Sequence, residues 1–154
     1  MAVNEAWLDT NVILRYLLND HPEHGPRAKA LFEAAERGGE LLKLAPHILC
    51  EVVYILEGED YARIEIHDAL RDLIRVKGIE AQEEQVVIEA LVDYRDKNVD
   101  LSDALLAAMA RARGEKVWTF NGRHFARMNG QWEEPPATPM SQGNNGVASR
   151  CRDT

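Results

Sequence analysis

The stretch Leu8-Asp9-Thr10-Asn11-Val12-Ile13-Leu14-Arg15-Tyr16-Leu17 decides how the chain is read. Just upstream, Ala6-Trp7-Leu8 is a short apolar run, and beyond the polar break Asp9-Thr10-Asn11 the apolar residues resume as Val12-Ile13-Leu14 and Tyr16-Leu17-Leu18. A short apolar run, side chains able to satisfy free helix N–H groups, then a longer apolar segment predict a buried strand turning directly into a helix, with Thr10 or Asn11 as its cap. Asp9 then stands at the carboxyl end of the first strand, where open α/β sheets build their ligand sites. Simple helix capping would also account for an acid at that point.

Working outward, Ala28, Leu31, Phe32 and Ala35 recur at spacings of three and four between His21 and Arg37, and Gly38-Gly39 ends this second helix. Leu41 to Ala45 suits a second buried strand. Pro46 fits the first turn of a third helix running to Gly58 through Ile48, Leu49, Val52, Val53, Ile55 and Leu56. Further helices are expected over about Ala62 to Val76, Gln82 to Asp96 and Asp100 to Arg113, the last with an Ala-rich face that allows close packing. Val117-Trp118-Thr119-Phe120 reads as a strand, followed by the polar turn Asn121-Gly122-Arg123-His124. Strand, helices, strand, helices, strand predicts an α/β domain with a mainly parallel sheet, because parallel neighbours need crossover helices. The expected division is a domain over residues 1–130 and a flexible polar tail over 131–154, where Pro135, Pro136, Pro139 and a Gly-Asn-Asn-Gly turn leave few apolar groups.

The 154 residues match one domain and bury enough surface to fold without disulfides or a structural metal. Cys50 in an apolar stretch and Cys151 in the polar tail are poorly placed for a disulfide, so reduced thiols are expected. Neither a CxxC pair nor His/Cys spacing suited to zinc is present. No apolar run reaches the roughly 20 residues of a membrane span, and Met1 to Asp9 lacks the blocks of a secretion signal, so a soluble, cytoplasmic protein is expected. The net charge of −8 argues against bulk attraction to a phosphate backbone. It leaves open an enzyme that gathers carboxylates around a cation and lets the cation meet the phosphate.

Two more acids stand out. Glu51 has His47, Ile48, Tyr54 and Ile55 three and four positions away, which places its carboxylate along a largely apolar face and, on this reading, toward the core. There it would need a partner, either Arg15 or a metal. Asp103 follows Asp100 by three at the start of the sixth helix, where both could serve free N–H groups. An α/β crossover topology can bring a strand end, a mid-helix acid and a helix start to one edge of the sheet. Three clustered carboxylates repel unless protonated or bridged by a cation, and an all-oxygen donor set selects Mg²⁺ or Mn²⁺.

The segment Leu8 to Leu17 resembles the opening of PIN-domain ribonucleases, particularly the VapC-type toxins of toxin-antitoxin pairs. Cys50-Glu51-Val52-Val53-Tyr54-Ile55-Leu56-Glu57 is similar to that family's second acidic segment, Asp100-Leu101-Ser102-Asp103-Ala104-Leu105-Leu106-Ala107 to its third, and Val117-Trp118-Thr119-Phe120-Asn121 to its fourth. The resemblance spans about Trp7 to Met128. It implies a PIN-like three-layer fold with a central, mainly parallel sheet flanked by helices. It also implies a divalent-metal site of Asp9, Glu51 and Asp103, supported by Asn11, Asp100, Thr119 and Asn121, and endonuclease activity on structured RNA. A homodimer and a small antitoxin lying across the catalytic groove are implied as partners. The fourth motif departs from the pattern: many relatives carry Asn at the position of Asn121 and Asp three residues later, where this chain has His124. Losing that charge should weaken metal binding, which keeps a catalytically weakened PIN-fold module for RNA or protein as the alternative.

A phosphatase of the haloacid dehalogenase type wants a second Asp two residues after the first, and position 11 is Asn. His21 and His24 lack the order of a zinc protease motif and read as surface residues, and His124 reads as a loop residue. Arg111, Arg113, Lys116 and Arg123 could meet RNA phosphates, although scattered charges on a solvated face are commoner.

Overall fold

The computed structural model describes residues 2–138. Cys151 and the Gly-Asn-Asn-Gly turn lie outside that range. The elements run β1 (Asn4–Trp7), α1 (Thr10–Leu18), α2 (His24–Glu36), β2 (Glu40–Leu44), α3 (Pro46–Gly58), α4 (Arg63–Arg75), β3 (Ile79–Ala81), α5 (Glu84–Asp96), α6 (Leu101–Ala112), β4 (Lys116–Trp118), α7 (Gly122–Phe125) and β5 (Gln131–Glu133). β1, β2 and β3 form a parallel sheet in that order, with Ala6 opposite Leu42 and Leu42 opposite Ile79. β4 and β5 form a second parallel pair. The expected α/β architecture, a parallel sheet flanked by helices, is therefore present, with its strands divided between two sheets.

β2 is the central strand, and its Leu42 and Leu44 are buried among Ile13, Phe32, Leu49, Val52, Leu70 and Leu73. Helix α3 starts on Pro46, whose missing N–H would be unpaired in a first turn anyway. Its Leu49, Val52, Val53 and Leu56 make the buried stripe at the spacing a helix requires. The Ala-rich face of α6 is buried at Ala104, Ala107 and Ala108 and packs against α5 and α3.

Three expectations need correction. β1 is exposed along its whole length, with Leu8 the first buried residue after it, because it is an edge strand paired on one side by β2. Trp7 lies under the Lys43 ammonium, 5.7 Å from ring centre to nitrogen, rather than in the core. β3 occupies a place read only as a break between helices. Finally, the first residues assigned to the polar tail are structured: Gln131–Glu133 pairs with β4, and Trp132 packs against the core. A partner strand and one aromatic side chain hold that segment despite the polar composition around it.

Polar contacts tie the helices that bear the acids. The Tyr94 hydroxyl donates to Glu57 Oε1 at 2.6 Å, joining α5 to α3. Burial and this bond push the phenol pKa well above its ordinary value. Arg63 donates to the carbonyls of Tyr94 and Val99, both at 2.7 Å, and lies 4.5 Å over the Tyr94 ring, so α4 fixes the chain just ahead of Asp100.

On α4 the buried His67 ring meets Asp68 Oδ1 at 2.8 Å, and that hydrogen bond, assisted by Arg71, holds the Asp68 carboxyl below its usual range. A depressed carboxyl stabilises the fold fully above the unfolded-chain pKa, near 4, and the contribution disappears as pH falls through the lower folded-state value. Thermal melting between about pH 6 and 2 should therefore show a loss of stability below about pH 4 that is smaller in Asp68→Asn. Identical pH profiles for the two proteins would contradict the assignment.

Candidate active site

Asp9 holds the N-cap position of α1 with extended backbone angles (φ −91°, ψ 158°), and its carbonyl accepts from the Ile13 N–H at 3.3 Å. Its side chain is exposed and makes no capping hydrogen bond. Asp100 repeats this at the N-cap of α6, again with no side-chain cap. Capping therefore fails to account for either acid, and both carboxylates point charge at helix amino termini while keeping their oxygens free of the backbone N–H groups.

Thr10, expected as a helix cap, has another task. It is 6% exposed, and its hydroxyl donates to Glu51 Oε2 at 2.5 Å, which ties the start of α1 to the middle of α3. Glu51 itself is solvent-exposed, which corrects the expectation that it faces the core. The buried stripe of α3 takes Leu49, Val52, Val53 and Leu56, so the residues around Glu51 turn outward with it: His47 and Tyr54 are exposed and Ile48 is half-buried. The alternative partner Arg15 instead meets Asp20 at 3.4 Å.

Asp103, in the first turn of α6, is half-buried and lies 3.1 Å from His124 Nδ1. The Asn121 amide is 2.8 Å from the same ring nitrogen. A carboxylate can only accept, so the Asp103 contact requires an Nδ1–H on His124, and the Asn121 amide, whose Nδ2 faces that nitrogen as placed, must then turn over to present its oxygen. Asn121 is held in turn by its backbone N–H, which donates to Thr119 Oγ1 at 2.9 Å, while the Thr119 N–H donates to the Glu133 carbonyl at 3.0 Å. The result is a chain of contacts from β4 through the loop and α7 to the first turn of α6. His124, read from sequence as a loop residue, is its central member. The signal was its place three residues after Asn121, where relatives often carry an acid.

The structure thus forms two linked pairs on packed elements: Thr10 with Glu51, beside Asp9, and Asp103 with His124. α3 packs against both α1 and α6. Among the described residues no group of three or more His, Cys, Asp or Glu side chains is already placed to hold a metal ion. Bare carboxylates repel at short range, and Glu51 and Asp103 are each satisfied by a hydrogen-bond donor instead. Asn11 is exposed near the start of α1, one turn before Arg15. The donor chemistry of Asp9, Glu51 and Asp103, oxygen-only and open to solvent or half-buried, fits a hard divalent cation.

The chain is thus a parallel α/β protein with acids at a strand end, in mid-helix and at a helix start. Residues 6–131 match the PIN domain family, and the chain belongs to that family. PIN domains are generally nucleases and typically use divalent metal ions. A comparison with curated proteins gives no match. Among the described residues, no helix is long and apolar enough to cross a membrane.

Proposed function

We propose that this protein is a Mg²⁺- or Mn²⁺-dependent endoribonuclease that hydrolyses RNA phosphodiester bonds and serves as a VapC-type toxin. The observation that carries the reading is that Asp9, Glu51 and Asp103 stand one each in the first three of the four motifs, all within the matched span, and that the side chain of the N-cap acid Asp9 makes no capping hydrogen bond. Asp9, Glu51 and Asp103 would hold the ion, which when bound supplies Lewis-acid stabilisation to the phosphate oxygens. Thr10 fixes the Glu51 carboxylate by its hydroxyl, and His124 fixes the orientation of Asp103. Asn121 and Thr119 shape the loop that presents His124, and Asp100 adds negative charge at the same helix start. On this reading the working form is a homodimer, RNA is the substrate, and a small antitoxin inhibits by lying across the carboxylates. Residues 1–130 would make the nuclease domain, extended by β5.

Purified protein is expected to cleave RNA internally with Mg²⁺ or Mn²⁺ and to stop when the ion is chelated. Cleavage that persists in chelator would overturn the metal requirement. One observation favours the second reading, a PIN-fold binding module: His124 occupies Asp103 where relatives often have a fourth acid. RNA binding without cleavage or divalent-ion affinity would decide for that module.

A further inference from the structure

Helices α1 and α2 enclose a groove of about 530 Å³. Asn11, Arg15, His24 and Arg27 supply its polar lining, and Val12 and Leu31 are among its apolar members. Asn11, in its lining, connects the groove to the candidate site along the chain, since it lies two residues after Asp9 in the first turn of α1.

Its two arginines are lightly committed. Arg15 meets Asp20 at 3.4 Å and Arg27 meets Glu23 at 3.9 Å, in pairs whose acids are largely in solvent. Such pairs are weak and exchange readily for another anion. Three of the four basic residues singled out near the last helix and strand are tied more closely: Arg111 donates to the Asn129 carbonyl at 2.7 Å, Arg113 to Glu83 at 2.6 Å and Lys116 to Glu133 at 2.9 Å. His24, in the groove lining, is held in place as well. His21 Nδ1 accepts the N–H groups of Glu23 and His24, and the His21 and His24 rings stack with centroids 4.3 Å apart. Two arginine forks in one open groove, each able to take a phosphate oxygen pair, suit a polyanion strand better than a compact ligand.

We propose that the α1–α2 groove is the track for the RNA phosphates flanking the bond to be cut, with Arg15 and Arg27 as the contacts and Asn11 at the end nearest the carboxylates. This inference rests on the nuclease reading. It also gives a chain of net charge −8 a local place to hold its substrate.

The test uses the full chain and a short labelled oligouridylate in chelator, so that the strand stays intact, with affinity measured against KCl concentration. The groove cations need no metal, so wild-type binding is expected. Arg15→Gln with Arg27→Gln should weaken it about tenfold at low salt and lower the slope of log K against log salt by about 1 to 1.5, as for two lost single-strand phosphate contacts. Arg113→Gln with Lys116→Gln, an equal loss of charge, should change neither. Asp20→Asn with Glu23→Gln, which frees both arginines, should tighten binding. Because that pair of changes predicts a gain, a folding defect in the first variant cannot imitate the full pattern. Equal affinity and slope in wild type and the Arg15/Arg27 variant would overturn the proposal, as would absence of wild-type binding. So would an oligoglutamate peptide whose binding, unlike that of RNA, depends on the two arginines, since the groove would then take an acidic protein segment. Cleavage of RNA with Mn²⁺ by the same preparations separates the two failures: intact cleavage with unaffected binding removes the groove alone, while absent cleavage removes the nuclease reading.

Discussion

Asp9→Asn is expected to lower metal-dependent RNA cleavage by at least about a hundredfold while leaving the thermal midpoint within a degree or two of wild type. Both halves follow from where Asp9 sits. It lies at the N-cap of α1, exposed and without a side-chain capping bond, so exchanging one carboxylate oxygen for an amide nitrogen breaks no bond that holds the helix. Asn is also a good N-cap residue and keeps the extended backbone that begins α1. What the change removes is one negative charge and one oxygen donor at the strand end, next in the chain to Thr10, which holds Glu51. Cleavage assays and melting curves on the same preparations check it. Wild-type cleavage by Asp9→Asn would remove Asp9 from the mechanism. A collapse in stability would show that the carboxylate is structural after all.

The second large effect is on the fold. Gly78 has φ +90°, a conformation that L side chains rarely adopt, and its carbonyl accepts the Leu42 N–H at 2.8 Å as the chain enters β3. A Cβ there would fall far inside contact distance of the Ala35 carbonyl in α2, and Ala35 is fully buried and cannot retreat. Gly78→Ala therefore combines backbone strain with a collision against main chain, about 2 to 4 kcal/mol of destabilisation. Gly38 is the natural control: it has φ +87°, and a Cβ built on it meets nothing within 4 Å. Gly38→Ala should lose only the strain, about 1 kcal/mol. Urea denaturation of the two variants checks the difference. Equal losses would mean that the α2–β3 approach is looser than its geometry implies.

The helices were legible because each carries its own evidence: Pro46 at a first turn, Leu49, Val52, Val53 and Leu56 at helical spacing, Asp100 ahead of an Ala-rich face. The short strands were not. Ile79–Ala81 is three residues with Glu80 in the middle, and it becomes a strand because β2 pairs with it. Gln131–Glu133 likewise depends on β4 and on Trp132 finding the core. Local composition contains neither partner. The exposure of β1 was misread for a related reason: an apolar run predicts burial only when neighbours cover it, and β1 lies at the edge of its sheet.

The candidate site divides in the same way. Motif order singled out Asp9, Glu51 and Asp103 as candidates, and all three fall inside the span, residues 6–131, that matches the PIN domain family. Sequence could not show what each acid touches. Counting residues three and four away from Glu51 found apolar neighbours but not that Tyr54 and Ile55 are, like it, exposed. Thr10 was expected to cap a helix and instead binds the Glu51 carboxylate. His124 marks a departure in the fourth motif, and only the fold shows that the departure reaches Asp103.

The most direct test of the central claim is calorimetric titration of the full chain with Mn²⁺, in parallel with Asp9→Asn and Asp103→Asn. Saturable binding to the wild type that is lost or severely weakened in both variants is the predicted result. Binding that is unchanged by either substitution, or no binding to the wild type, would contradict the claim that these carboxylates share one cation.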